Sequence, residues 1–317
     1  MRGSGGQGQA GGVLVVGCGF IGANVVEELR ASGRPLTVLT RSQPPAEVAD
    51  LIAEEDLVVG DARDRALLER ALRGIDHVVY SAGGLLPVAS EREPERDEQL
   101  TLEPLRAVLA ALAEQPQTSL LYLSSGGTVY GEPDRVPVGE DAPTDPIGAY
   151  GRIHLTAESE VLEQSHAHGT PVRILRCSTV YGKHQRPGRG QGVVTTFLQQ
   201  IAAGEEICIY GDGETIRDYI YAGDVARAIV ELLDRPGGAE ILNLASGVPT
   251  SLNEVLRLTE EEVGRPAAVV RRSARDFEVH RIVLDTSRLR SLIEFEPTPL
   301  KTGIARTHAW LASGGEG

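Results

Sequence analysis

Lysine is almost missing from this 317-residue chain: only Lys183 and Lys301 occur, while arginine is abundant. Cysteine is scarce too. Cys18, Cys177 and Cys208 lie far apart with no C-x-x-C pair. That excludes a disulfide framework and a cysteine-built zinc site, so no metal is expected and a reducing cytoplasm is the expected compartment. No apolar run approaches the roughly 18–20 residues of a membrane span. Residues 1–12 are rich in Gly and Gln and lack an apolar h-region, which predicts a flexible tail rather than a signal peptide. Positive charge is in deficit as well: the formal net charge is −14. This argues against nucleic acid or an anionic membrane as partner, so an anionic ligand must be met by a local group of arginines.

What is present is ordinary for a soluble globular enzyme, with 41% hydrophobic and 24% charged residues. The length suits one large α/β domain with a smaller satellite. Val13–Val16, Leu36–Thr40, Leu57–Val59, Val78–Tyr80, Leu120–Leu123 and Val172–Leu175 are short apolar runs that predict strands. Between them Ile21–Arg30, Ala66–Leu72, Leu100–Ala113 and Ile147 to about His166 carry helical periodicity. Strands alternating with helices imply a doubly wound parallel sheet covered on both faces, a Rossmann-type α/β architecture. After Tyr181 the pattern changes: Gly182–Gly192 reads as a basic loop, Val193–Ala203 as a helix and Ile207–Tyr210 as extended chain. Asp224–Leu233 predicts a helix and Ile241–Leu244 one more strand, and the tail from Ser251 predicts two helices with a short strand near Ile282–Leu284. We therefore expect a dinucleotide-binding domain over 13–180 and 212–245, and a smaller substrate domain over 181–211 and 246–313.

Gly17-Cys18-Gly19-Phe20-Ile21-Gly22 satisfies G-x-G-x-x-G between a strand and a helix. The chemistry requires a tight turn, close backbone approach to a pyrophosphate, and helix N–H groups aimed at the anion. At the end of the second strand stand Thr40 and Arg41 rather than an acid. A hydroxyl plus a guanidinium suits a 2′-phosphate, which favours NADP(H) over NAD(H), although Arg41 could equally be a solvated surface residue. Asp61, followed by Ala62, is placed either to meet the adenine amine or to cap the next helix.

The order of these signals resembles the extended short-chain dehydrogenase/reductase family, in its nucleotide-sugar epimerase/dehydratase branch. The resemblance spans about Val13 to Trp310. It rests on GCGFIG, SSGGTVYG at Ser124–Gly131, YGRIH at Tyr150–His154, RCSTVYG at Arg176–Gly182 and GDGETIRDYIYAGDV at Gly211–Val225. It implies a homodimer through the helices near Leu100–Ala113 and Ile147–Ser165, a cofactor site completed by Ser81, Ala82 and Gly83, and Tyr150 as the group that exchanges a proton with the sugar. Two departures stand out. The family's lysine, four residues after the tyrosine, is His154; an arginine bias does not explain a histidine. The family's sugar-binding hydroxyl falls at Gly126, leaving Ser125 or Thr128 as substitutes, with Thr128 preferred.

At the substrate end, the resemblance assigns Arg217 and Arg275 to a nucleotide diphosphate, where bidentate geometry favours arginine. Thr179 replaces the usual asparagine of its strand, and Gln191-Gly192-Val193 opens a helix whose N-terminus could face phosphate or base. The sequence thus predicts an oxidoreductase of a UDP- or dTDP-hexose. A ketoreductase using NADPH leads, a 4-epimerase is the alternative, and a dehydratase or a dinucleotide sensor without turnover is less favoured.

Overall fold

The computed structural model describes residues 11–186, 192–273 and 279–314. The chain runs through strands β1 (Gly12–Val16), β2 (Leu36–Thr40), β3 (Leu57–Val59), β4 (Ile75–Tyr80), β5 (Ser119–Ser125) and β6 (Val172–Cys177). These are followed by β7 (Thr179–Tyr181), β8 (Glu206–Tyr210), β9 (Ile216–Tyr221), β10 (Ala239–Leu244), β11 (Pro249–Ser251) and β12 (Ala268–Arg272). The first helices are α1 (Phe20–Ala31), α2 (Ala46–Ala49), α3 (Arg65–Ala71), α4 (Pro87–Arg92), α5 (Pro94–Ala113) and α6 (Gly126–Val129). The later ones are α7 (Ala149–His168), α8 (Val193–Ala203), α9 (Ala222–Leu233), α10 (Leu252–Val263), α11 (Ser287–Leu292) and α12 (Leu300–Ala312).

Seven strands form one parallel sheet in the order β10-β6-β5-β4-β1-β2-β3. Side chains alternate across a strand, and β1 uses both faces. Val13 and Val15 enter a core with α1 and α9, whereas Leu14 and Val16 enter the opposite core with α3, α5 and α7. Each fully buried Val or Leu contributes ~1.5–3 kcal/mol of transfer free energy, so the alternation fixes the layering from both sides. The chain leaves β1 toward β2 and β3, then returns to lay β4 on the other side of β1. Strand order therefore reverses between β1 and β4, and a crevice forms at their carboxyl ends. Val16 and Tyr80 are register partners at that end, which sets Gly17 beside Ser81.

The remaining strands pair outside this sheet as β11-β9-β7 and β12-β8. A third apolar cluster, holding Phe197, Leu198, Ile207, Tyr221 and Val255, lies among them. None of the described helices is long and apolar enough to cross a membrane. Up to Leu244 each element read from the periodicity is present near its expected place, while strands β7 and β9 and the short helices α2, α4 and α6 were not read. The C-terminal expectation needs correction. Ile282–Leu284 is not a strand: Ile282 and Leu284 enter a small core with Tyr130 and Val138, and Leu284 forms a single bridge to Val138. The strand there is Ala268–Arg272, mostly exposed and hidden from pattern reading because neither face alternates. Among the described residues the same tail carries three helices, not two.

Candidate active site

The loop after β1 owes its shape to its glycines. Gly17 has φ +93°, and a Cβ there would stand 2.7 Å from the backbone of Ala82. A Cβ on Gly22 would approach the Gly17 carbonyl to 2.0 Å, so the helix starts hard against the turn. Ser81 Oγ donates to the Gly17 carbonyl at 2.7 Å and ties β4 to the loop. Gly19 differs. A Cβ built there meets nothing within 4 Å, and Gly19 caps α1 without a side-chain hydrogen bond. The entrance to a twelve-residue helix is thus open at Gly19, a fitting cradle for a dinucleotide pyrophosphate. Phe20 and Ile21 form the first turn beside it, and Gly83 is likewise open at its α-carbon.

Thr40 is buried at the end of β2, its hydroxyl donating to the Ser42 carbonyl at 3.1 Å, and Arg41 is exposed next to it. Asp61 does not cap the following helix. Asp64 does, accepting from the Ala66 and Leu67 amides. The Asp61 carboxylate instead takes the Arg63 guanidinium and backbone amide at 2.9–3.0 Å. Those bonds hold its pKa below the ordinary value, and Arg41 adds to the effect at longer range. Ala62 is buried behind it.

Tyr150 opens the second residue of α7 and remains partly exposed. The helix is pinned at this end: the Ala149 amide donates to Glu91 Oε2 at 2.9 Å, and a Cβ on Gly151 would stand 2.8 Å from the Thr128 carbonyl. α7 can approach α6 only because Gly151 lacks a side chain, and this brings the Tyr150 turn to the Ser125–Thr128 segment. One helical turn on, His154 stacks at a tilt on Tyr150 with ring centroids 4.5 Å apart. His154 is 8% exposed, and its Nδ1 lies 3.2 Å from the hydroxyl of Tyr122 on β5. Burial pushes the imidazole pKa down to about 4, against an opposing pull from Asp97. Burial pushes the Tyr150 phenol up, with Asp97 and Cys177 adding to it. Both rings are therefore neutral around pH 7. The pair is a phenol that keeps its proton beside an imidazole without charge.

Gly126 has no room for the expected hydroxyl side chain. A Cβ there would come within 2.6 Å of Leu284 and 2.8 Å of the Arg176 carbonyl. Gly126 can offer only backbone. Of the two substitutes, Thr128 donates to the Ser125 carbonyl at 3.2 Å within the short α6 helix, and Ser125 ends β5.

Arg217 and Thr179 lie on neighbouring strands of one sheet. Thr179 of β7 is the register partner of Tyr219 on β9, and Arg217 lies two residues earlier on β9. All three therefore project from one face of the small sheet. Arg217 also donates to the Ile216 carbonyl at 3.0 Å. Gly192, at φ +91°, leads into Val193 and α8. Gln191 and Arg275 lie outside the described residues.

Sequence reasoning missed three supporting groups. Tyr122 sits inside an apolar strand and reads as core. Asp97, 1% exposed, accepts from the Leu85 amide at 2.6 Å and the Thr101 hydroxyl at 3.1 Å, although its stretch looks like a solvated acidic helix start. Helical spacing to Thr101 and Leu105 was the available signal. Glu158, one turn after His154, forms a fully buried ion pair with Arg176 of β6, at 2.7 Å.

The sequence profile of the NAD dependent epimerase/dehydratase family matches residues 13–245. A putative UDP-glucose 4-epimerase of Methanocaldococcus jannaschii is 30% identical, covering 94% of this chain and 98% of that protein. A dTDP-4-dehydro-6-deoxy-D-allose reductase of Streptomyces bikiniensis is 31% identical, over 94% and 95%. The crystal structure of Thermus thermophilus UDP-glucose 4-epimerase in complex with NAD superposes with a TM-score of 0.86 at 29% identity, covering 94% of this chain and 98% of that one.

Proposed function

The chain belongs to the NAD dependent epimerase/dehydratase family, and from that premise we propose that it reduces the 4-keto group of a nucleotide-linked hexose, with NADPH preferred and Tyr150 as proton donor. One observation carries the reading. The residue beside Tyr150 is an uncharged imidazole, and the phenol pKa is raised, not lowered. Reduction ends on an alkoxide that needs a proton, and a protonated phenol supplies it without prior activation. Oxidising a hydroxyl would instead require a phenolate, which this setting disfavours.

The glycine loop and the α1 N-terminus would hold the cofactor pyrophosphate, and Thr40 and Arg41 the 2′-phosphate. Asp61 and Ala62 would flank the adenine, and Ser81, Ala82 and Gly83 the crevice floor. When bound, the nicotinamide supplies hydride. Arg217 and Arg275 would clamp the substrate diphosphate, with Thr179, Gln191, Gly192 and Val193 beside them. The hydroxyl of Thr128 or Ser125 would orient the ketone oxygen toward Tyr150. We further propose the domain division 13–180 with 212–245 against 181–211 with 246–313, and a cytoplasmic homodimer. Its interface would use α5 and α7, which lie side by side and share the Arg106–Glu160 ion pair.

A second reading, 4-epimerisation of a UDP-hexose, is favoured by the relative from M. jannaschii. Incubation with UDP- and dTDP-linked 4-keto-hexoses separates the two. Stoichiometric NADPH loss supports the reductase; interconversion of hexose epimers without net redox supports the epimerase. Inert binding of a dinucleotide would leave only a sensor.

Two quantitative expectations follow from the same groups. His154 is neutral above about pH 4 and Tyr150 holds its proton well above neutrality. A pH profile of kcat for reduction should therefore be flat between roughly pH 5 and 9. An inflection near pH 6.5 would mean that protonated His154 takes part. Arg41→Glu should raise the KM for NADPH about ten- to a hundredfold, the worth of one charge-assisted hydrogen bond, with little change for NADH. Equal effects on both cofactors would remove Arg41 from the 2′-phosphate site.

A further inference from the structure

We propose that Tyr122 is a positioning residue: its hydroxyl donates to His154 Nδ1 and so fixes the imidazole as a neutral Nε2–H donor at the cleft. The inference rests on the reading of Tyr150 and His154 as the active pair. It supplies what that reading leaves open, namely how an uncharged ring takes over the hydrogen bonding of an ammonium group.

The geometry leaves little choice. Tyr122 is 1% exposed, in the apolar core that holds Leu14, Val78, Leu105 and Ile153. Among the described residues its hydroxyl has one hydrogen-bond partner, His154 Nδ1 at 3.2 Å. A phenol carries a single hydrogen, and leaving it unbonded in such a core costs ~1–3 kcal/mol. Were Nδ1 protonated, Tyr122 would have to accept from it, and its own hydrogen would point into apolar surroundings. Donation from Tyr122 satisfies both atoms. Burial holds the Tyr122 pKa well above its ordinary value, so the hydrogen is available at any working pH.

With Nδ1 occupied as an acceptor, the ring proton resides on Nε2. Among the described residues, the buried polar atoms that lack a partner do not include His154 Nε2, and the bond this histidine forms runs through Nδ1. Nε2 therefore meets solvent, on a ring already stacked on Tyr150. A lysine in that place donates through a flexible ammonium and needs no tautomer set for it. A histidine needs one, and β5 provides it through a tyrosine where an apolar residue would pack equally well. Tyr80 on β4 abuts Tyr122 with ring centroids 5.9 Å apart.

The test uses the ligand-free chain and histidine side-chain ¹⁵N NMR at neutral pH, with the His154 signal identified by its loss in His154→Gln. The expected wild-type signal is a neutral ring with the proton on Nε2 and a hydrogen-bonded Nδ1. A proton on Nδ1 overturns the proposal without any variant at Tyr122. In Tyr122→Phe, which keeps the ring and removes one oxygen, Nδ1 should move to the position of a free acceptor; an unmoved resonance also overturns it. In turnover, Tyr122→Phe should lower kcat about tenfold while the KM for the nucleotide sugar stays within about twofold. An unchanged kcat would reduce Tyr122 to packing. Should the wild type turn over no nucleotide sugar, the reaction proposed above fails, and the two NMR results still decide whether Tyr122 sets the ring.

Discussion

Replacing Tyr150 by phenylalanine is expected to lower kcat by roughly 10²- to 10⁴-fold, the usual worth of a positioned general acid. The substitution removes one oxygen. It leaves the ring that stacks on His154, the Ala149–Glu91 bond that pins the helix end, and the Gly151 contact with α6. Thermal stability and the KM for the nucleotide sugar should therefore change little. A loss confined to kcat would identify the hydroxyl as a group acting in the transition state. A loss of less than about fivefold would move the proton source elsewhere, with Thr128 and Ser125 the next hydroxyls along the cleft wall. Both lie in the segment on which α7 packs.

The largest expected effect on stability lies beneath the site, not in it. Glu158 and Arg176 are 2% and 4% exposed, and their carboxylate and guanidinium share three contacts between 2.7 and 3.2 Å. Ser124 donates to the same carboxylate at 2.5 Å, and Arg176 lies over the Tyr130 ring at 4.8 Å. Removing one partner strands a buried charge, so Glu158→Ala should cost ~3–5 kcal/mol and lower Tm by about 10 °C. Replacing both, as Glu158→Leu with Arg176→Met, should cost much less, because no charge is then left without its counterion. Calorimetry of Glu158→Ala, Arg176→Met and the double variant checks this. Equal destabilisation by the double and the singles would mean that the network acts through shape alone. The pair joins α7 to β6, so it also sets the depth at which the Tyr150 turn sits against the sheet.

How far this was legible in the sequence depended on the kind of constraint. The glycine loop could be read because three of its positions are dictated by backbone approach, and Gly17 and Gly22 occupy the tight contacts that the spacing implies. The seven-stranded sheet could be read because each strand is a short apolar run between helical periods. Tyr150 was named through the family resemblance, and its place after a Pro-rich loop at a helix start agrees with the position it takes at the start of α7. By contrast, the partner of His154 lies 32 positions away on a strand, and nothing local distinguishes Tyr122 from an ordinary core tyrosine. The Glu158–Arg176 pair joins a helix to a strand in the same way. Asp61 was misjudged as a possible cap because Asp64, three residues later, offers the same chemistry in better register. The Ile282–Leu284 strand failed for another reason. A short apolar run such as Ile282 and Leu284 can enter a small core from an irregular segment as well as from a ladder, and periodicity cannot separate the two.

The most direct test of the central claim is the fate of hydride and proton in a single turnover. The chain is mixed with a dTDP- or UDP-linked 4-keto-hexose and NADPH deuterated at the transferable position of the nicotinamide, and the sugar is examined by mass spectrometry and NMR. The account predicts one deuterium at the carbinol carbon, one oxidised cofactor per sugar, and slow protonation when Tyr150 is phenylalanine. Deuterium retained on a cofactor that is never consumed, with the hexose epimers exchanging, would contradict it.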